Sequence, residues 1–151
     1  MAIYFLYYLN TDTPSPFDWQ SMMIRADQVI GMFQWGQVLV DPDGVHAPHS
    51  IWPLVVVRSL NEALAHPLLS KLKWVWLDAK ANTTLQEYVH PKDNVIYCIG
   101  HDATGFEGRS IGDLPGDKLG VWTPDPNREY YAETIIHLVV YDRALKTLWN
   151  K

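Results

Sequence analysis

Two glycines, Gly100 and Gly105, bracket a loop that begins where the apolar run Val95-Ile96-Tyr97-Cys98-Ile99 ends. Glycine lets a backbone approach a ligand closely, so a loop of this kind could hold an adenine or a carboxylate through its N–H and C=O groups. His101 and Asp102 stand inside it. A histidine titrates near neutrality and can carry a proton. Adjacent side chains need not converge, however, and a turn-capping Asp beside a surface His is the simpler account. A second apolar run, Leu119-Gly120-Val121-Trp122-Thr123, leads into Pro124-Asp125-Pro126-Asn127-Arg128. At its end Val121 suits strand packing, and Trp122 suits either stacking on a flat ring or filling the core. Arg25 lies in a mostly apolar helical stretch. A guanidinium there can hold a phosphate and stabilise a developing alkoxide, or it can form an ordinary surface ion pair.

Other constellations carry less chemistry. His46 and His49 have a loose metal-pair spacing, but no cysteine or further histidine cluster completes four ligands nearby, so no metal site is expected. There is no Gly-x-x-x-x-Gly-Lys-Ser/Thr and no Gly-x-Ser-x-Gly, which disfavours a P-loop NTPase and a nucleophile-elbow hydrolase. Cys98 is the single cysteine. It cannot form an intramolecular disulfide, and an apolar strand would raise its pKa and hide it. Core packing is its expected role, and an intracellular, cytoplasmic setting is favoured.

The elements that must position these residues alternate between strand-like and helix-like runs, the pattern of an α/β fold with a mainly parallel sheet flanked by helices. Strands are expected at about Ala2–Leu9, Gln37–Val40, Leu54–Val57, Lys73–Leu77, Val95–Ile99 and Leu119–Thr123. Helices are expected from Asp18, a plausible N-cap, to about Met32, around Leu60–His66, around Thr83–Val89, and from near Glu129 to Trp149. Two strands thus end in loops able to hold a ligand, where open α/β sheets place their sites. The last helix has one polar side chain, His137, between Ile135 and Tyr141. A helix this apolar needs cover on most sides, from the protomer or from a second copy, and a homodimer is favoured.

The bulk properties agree. A chain of 151 residues suits one domain, spanning 1–151, with its own core. Its 48% hydrophobic and 19% charged content are those of a folded globule. A net charge of -5 argues against tight non-specific nucleic-acid binding without excluding a local basic patch. The apolar N-terminal run is too short to span a membrane, and Asp142, Arg143 and Lys146 interrupt the C-terminal one.

The order of parts resembles the SpoU-type SPOUT RNA methyltransferases. Met22-Met23-Ile24-Arg25-Ala26-Asp27-Gln28-Val29-Ile30-Gly31 resembles their Arg-containing first motif. Ile96 to Phe106 resembles the second, an apolar strand followed by Gly-Pro-Glu-x-x-Gly-Leu, and Lys118 to Tyr141 resembles the third in length and layout. The resemblance implies a C-terminal trefoil knot, a homodimer through the knot helix, and bent S-adenosylmethionine (SAM) among the knot loops. It implies transfer of a methyl group to a ribose 2′-oxygen, with tRNA as the expected substrate, Arg25 catalytic and Arg25, Arg109 and Arg128 on the RNA. Cofactor contacts would come from Gly100, His101, Asp102 and Gly105, the backbone at Val121, the apolar wall at Leu77, Trp122 in a family Pro position, and Tyr130, which either offers a backbone contact or blocks the pocket. The chain departs from the motifs at Trp19 for Asn, His101-Asp102 for Pro-Glu, and Glu129-Tyr130-Tyr131-Ala132-Glu133 for Ser-x-Asn-x-Ser. These departures motivate two alternatives. One is a non-catalytic SPOUT-like dimer serving as a binding or regulatory module. The other is an unknotted, flavodoxin-like α/β domain.

Overall fold

Strands buried on both faces read as continuous apolar runs, and such runs form the centre of one six-stranded sheet here, with less buried strands at its two edges. In the computed structural model, which describes residues 2–9, 18–44, 54–79, 81–102, 104–125 and 127–149 (without the side chains of 18–21), the strands are β1 (Ile3–Tyr8), β2 (Gly36–Val40), β3 (Leu54–Val57), β4 (Lys73–Leu77), β5 (Val95–Cys98) and β6 (Asp117–Leu119). Every pairing is parallel, in the order β3-β2-β1-β5-β4-β6. The chain builds outward from β1 to β3, then crosses to β4 and returns to insert β5 beside β1. Parallel sheets of this kind hold ligands outside the carboxyl ends of their strands.

Successive side chains on a strand face opposite ways, and the two faces carry separate cores. On one face Phe5, Tyr7, Leu39, Val75 and Tyr97 pack under helices α1 (Asp18–Met32) and α3 (Ala132–Ala144). On the other, Leu6, Val38, Trp74, Trp76 and Ile96 pack under α2 (Leu60–Ala65) with Phe106 and Leu114. Cys98 is fully buried in this second core, and burial pushes its thiol well above the usual value. Packing is what its position serves.

Three expected elements differ from the observed ones. The run expected as a helix over Thr83–Val89 is only a 3-10 turn, Leu85–Glu87, held by Leu85 N–H to Gly120 O at 2.8 Å. β6 covers Asp117–Leu119 rather than Leu119–Thr123, because its partner β4 ends at Leu77, opposite Leu119. Polar Asp117 is accommodated on this edge strand by Tyr88 Oη at 2.8 Å and Lys73 Nζ at 3.1 Å, and Lys118 Nζ by the Leu114 carbonyl at 2.6 Å. The last helix begins at Ala132, not Glu129, and continues past Ala144 as a π-helical turn, Leu145–Trp149. His46 and His49 lie outside the described residues. Among those described, no group of three or more His, Cys, Asp and Glu could hold a metal ion, and no helix is long and apolar enough to cross a membrane.

The far end of α3 is fixed by a buried charge. Arg143 is 1% exposed, and an unpaired cation there would be strongly destabilising. Its Nη1 donates to Pro91 O at 2.6 Å and Tyr97 Oη at 2.8 Å, and its Nη2 to Lys92 O at 3.1 Å. His90 continues the chain, with Nδ1 2.7 Å from Tyr97 Oη and Nε2 2.7 Å from Asp142 Oδ2. Tyr97 has one proton and receives one from Arg143, so it donates to Nδ1, and His90 donates from Nε2 to Asp142. With a neutral imidazole each bond of the Tyr97–His90–Asp142 chain has one donor and one acceptor, whereas the Arg143 Nε is buried without a hydrogen-bond partner among the described residues. Burial lowers the His90 pKa against the opposing pull of Asp142, and it raises that of Tyr97 to about 12. Since the folded His90 pKa lies below its unfolded value of 6.5, the unfolded chain takes up the proton first. The stability His90 contributes is present above that pH and is lost as the pH falls through the folded pKa. Thermal melts from about pH 8 to about pH 5 should therefore show a steeper acid loss of Tm for wild type than for His90→Gln, which should itself melt lower at neutral pH.

Candidate functional site

A cleft of about 560 Å³ opens at the carboxyl ends of β4, β5 and β6. That volume is within the range of small-molecule sites. Its floor is Leu77, Asp78 and Ala79 after β4 and Ile99 after β5. One wall is formed by 100–102, 104–106 and 108–111 of the loop after β5. The facing wall is Val121 and Thr123, then Glu129, Tyr130, Tyr131, Ala132 and Ile135 at the start of α3.

The glycine loop is closed by a backbone pair, His101 N–H to Gly105 O and Gly105 N–H to His101 O, both 2.8 Å. Gly105 makes this closure at φ +60, which favours glycine. A Cβ at Gly100 would stand 3.1 Å from the Gly105 backbone, whereas one at Gly105 would meet nothing within 4 Å. The first glycine lets the loop pack on itself, and the second leaves bare backbone in open space. Beyond them Phe106 anchors the loop, 4% exposed and edge-on to Trp76 at 5.0 Å. The Glu107 carboxylate accepts from Tyr8 Oη and from the Leu60 N–H at the start of α2, both at 2.8 Å. Burial and Glu107 together raise the Tyr8 pKa, so its hydroxyl stays a donor.

Asp102 holds the two walls together. Its Oδ1 accepts the Ala132 N–H at 2.7 Å, while Tyr131, the residue preceding α3, makes no side-chain cap bond. A helix start leaves N–H groups without intrahelical partners, and a carboxylate there also meets the positive end of the helix dipole. Asp102 is thus a cap for a helix 30 positions away rather than for its own turn. It also fixes where α3 begins, and so keeps Glu129, Tyr130 and Tyr131 in the wall.

The structure brings Leu77, Gly100, His101, Asp102, Gly105, Val121 and Tyr130 to one cleft, with Arg109 on its edge. Trp122 lies between two lining residues but outside the lining itself, 63% exposed. Arg128 is exposed and outside the lining. Arg25 does not line the cleft either. Its Nε and Nη2 grip both carboxylate oxygens of Glu133, the second contact at 2.9 Å, across the seam between α1 and α3. Arg109 Nη1 donates to Asn61 Oδ1 at 2.8 Å. Sequence reasoning did not single out Asp78, Thr123 or Ile135 as lining residues. A polar residue directly after an apolar strand, as Asp78 is, was the available signal. The Glu133 pairing had none, because 108 positions separate it from Arg25.

No family model matches the chain, and no curated protein matches its sequence. Solved structures do share the fold. A putative RNA methyltransferase from Bacillus anthracis aligns with a TM-score of 0.77 at 10% identity, covering 99% of this chain and 96% of that one. A structure concerned with 2-OH methylation of C/U34 on tRNA gives 0.70 at 15% identity, covering 96% of this chain and 90% of the other. The TrmH/SpoU tRNA modifying enzyme of A. aeolicus gives 0.66 at 12% identity, covering 96% and 74%. At such identities the likeness is one of fold: the parallel six-stranded sheet flanked by helices is shared with these structures.

Replacing Asp102 with Ala removes the cap and should cost about 1 kcal/mol of stability in urea unfolding, while Asp102→Asn should retain most of it. Equal stability of the Ala variant and wild type would show that α3 does not depend on this bond.

Proposed function

We propose that the protein is a SAM-dependent RNA ribose 2′-O-methyltransferase acting on tRNA. The observation that carries this reading is the cleft at the carboxyl ends of β4, β5 and β6, closed by the start of α3, in a fold shared with RNA methyltransferases. The cleft suits such a cofactor in its chemistry. Leu77, Ile99, Val121 and Ile135 give apolar walls, and Gly105 leaves bare backbone with open space beside it. We assign cofactor contacts to Leu77, Gly100, His101, Asp102, Gly105, Val121 and Tyr130. Trp122, exposed at the rim, is assigned to stacking on a ring rather than to the inner wall. SAM, when bound, supplies an electrophilic methyl group.

The chain's own residues supply position and charge. In this reading Arg25, which stands outside the cleft lining and is held by Glu133, would meet the reacting ribose only in RNA laid against α1, as a fixed positive charge for a developing alkoxide or a phosphate rather than as a base. Arg109 and Arg128 are assigned to the RNA backbone. Holding the ribose hydroxyl against the reacting methyl accounts for much of the acceleration such a site can offer. The threading of α3 as a trefoil knot and a homodimer through this helix belong to the same reading. Tyr141 is 66% exposed, Leu148 46% and Trp149 78%, an apolar stripe left uncovered by the protomer. A second copy would cover it.

Three outcomes are expected. SAM or S-adenosylhomocysteine at about 100 times its Kd should stabilise the fold by roughly 2.7 kcal/mol, read as a raised Tm. Radiolabelled methyl transfer to bulk tRNA should be detectable and should fall sharply in Arg25→Ala. Light scattering should give twice the chain mass, and Tyr141→Glu with Trp149→Glu should return the monomer. Absence of any cofactor-induced shift, with or without RNA, would favour a binding protein without the chemistry.

A further inference from the structure

Arg25 extends from α1 and Glu133 from the first turn of α3, and they meet side-on: the guanidinium presents Nε and Nη2 to the two carboxylate oxygens. This fork-to-fork geometry fixes a guanidinium plane in a way that a single hydroxyl cannot. The two side chains are 49% and 30% exposed, and pairs this accessible contribute little to stability. The geometry therefore matters more for where Arg25 points than for holding α1 to α3. Glu133 in turn sits one residue after Ala132, whose N–H is held by Asp102 of the glycine loop. A continuous path of bonds thus runs from the cleft loop, through the start of α3, to the guanidinium.

We propose that Glu133 is the positioning residue for Arg25. It does not line the cleft, and it acts on the reaction only through the orientation it gives the guanidinium. The proposal rests on the methyltransferase reading for its consequence in catalysis, but its physical content, the immobilisation of Arg25, can be tested without activity.

The experiment compares full-length wild type, Glu133→Gln, Glu133→Ala, Arg25→Ala and the double variant Arg25→Ala/Glu133→Ala. Phenylglyoxal labelling, read peptide by peptide by mass spectrometry, follows the accessibility of each arginine. Arg25 should label several-fold faster in both Glu133 variants, with Arg109 and Arg128 unchanged. Methyl transfer to bulk tRNA should fall in kcat by on the order of 10- to 100-fold in Glu133→Gln, as expected for a misplaced catalytic group, with KM for SAM unchanged. The double variant should be no slower than Arg25→Ala, because a residue that works only through Arg25 has nothing left to contribute once Arg25 is gone. Unchanged labelling of Arg25 in Glu133→Gln overturns the proposal, as do wild-type kcat in the Glu133 variants or losses that multiply in the double variant. If wild type transfers no methyl to RNA, the methyltransferase reading fails, and the labelling rates alone decide whether Glu133 positions Arg25.

Discussion

A single hydrogen bond, from the Ala132 N–H to the Asp102 carboxylate, sets the shape of the cleft. The first turn of a helix has donors that its own backbone cannot satisfy. The residues leading into α3, Glu129-Tyr130-Tyr131, supply no side-chain cap. Asp102 provides one from the glycine loop, and the loop is pinned on its other side by Phe106 in the core and Glu107 on Tyr8 and Leu60. Loop and helix are therefore fixed relative to each other and to the sheet. Asp102 stands where the resembling motif has Glu, so the acidic character is kept while the side chain is one methylene shorter.

α3 is held at both ends by different physics. At its start a carboxylate meets the helix dipole. Near its end the two Nη atoms of a buried guanidinium reach two backbone carbonyls and the Tyr97 hydroxyl, while its Nε has no partner among the described residues, and that hydroxyl relays to His90 and Asp142. Arg143 also lies over the rings of Trp35 and Tyr97, at 5.5 and 5.9 Å from their centroids. Such a network tolerates little displacement, since sliding the helix would strand a charge away from water. Placement of Glu133 against Arg25 is thereby inherited from interactions at both ends of α3, not created by the ion pair itself.

Much of this was legible in the sequence, and the failures share one cause. Short strands flanked by turns, such as Lys73–Leu77 and Leu54–Val57, announce themselves by apolar content, and their observed bounds match those expected. α1 likewise runs Asp18–Met32, the bounds expected for it. β6 was displaced because its edge position admits Asp117 and Lys118, which an apolar criterion rejects, while the more apolar Val121 and Trp122 lie beyond the end of its partner. The start of α3 was misplaced because its cap comes from residue 102, and no local pattern contains it. The gathering of Leu77, Gly100, Gly105, Val121 and Tyr130 at one cleft was expected from strand ends and motif order, whereas the Arg25–Glu133 contact was invisible. Long-range polar bonds leave no periodicity behind.

The charge balance bears on how such a protein could engage RNA. With a net charge of -5, general attraction to phosphate is weak, and the candidate cations are partly committed: Arg25 to Glu133 and Arg109 to Asn61. Each phosphate contact contributes roughly 0.9 to the salt dependence of duplex binding and about 0.7 for single strands, so a surface with few available cations should bind with a shallow slope. Selectivity would then fall on what the cleft admits. Its rim carries Trp122 and Tyr131, 63% and 75% exposed, flat rings that an unstacked base could cover. On the proposed reading, weak net attraction to phosphate would leave recognition to these rings and to the cleft more than to charge.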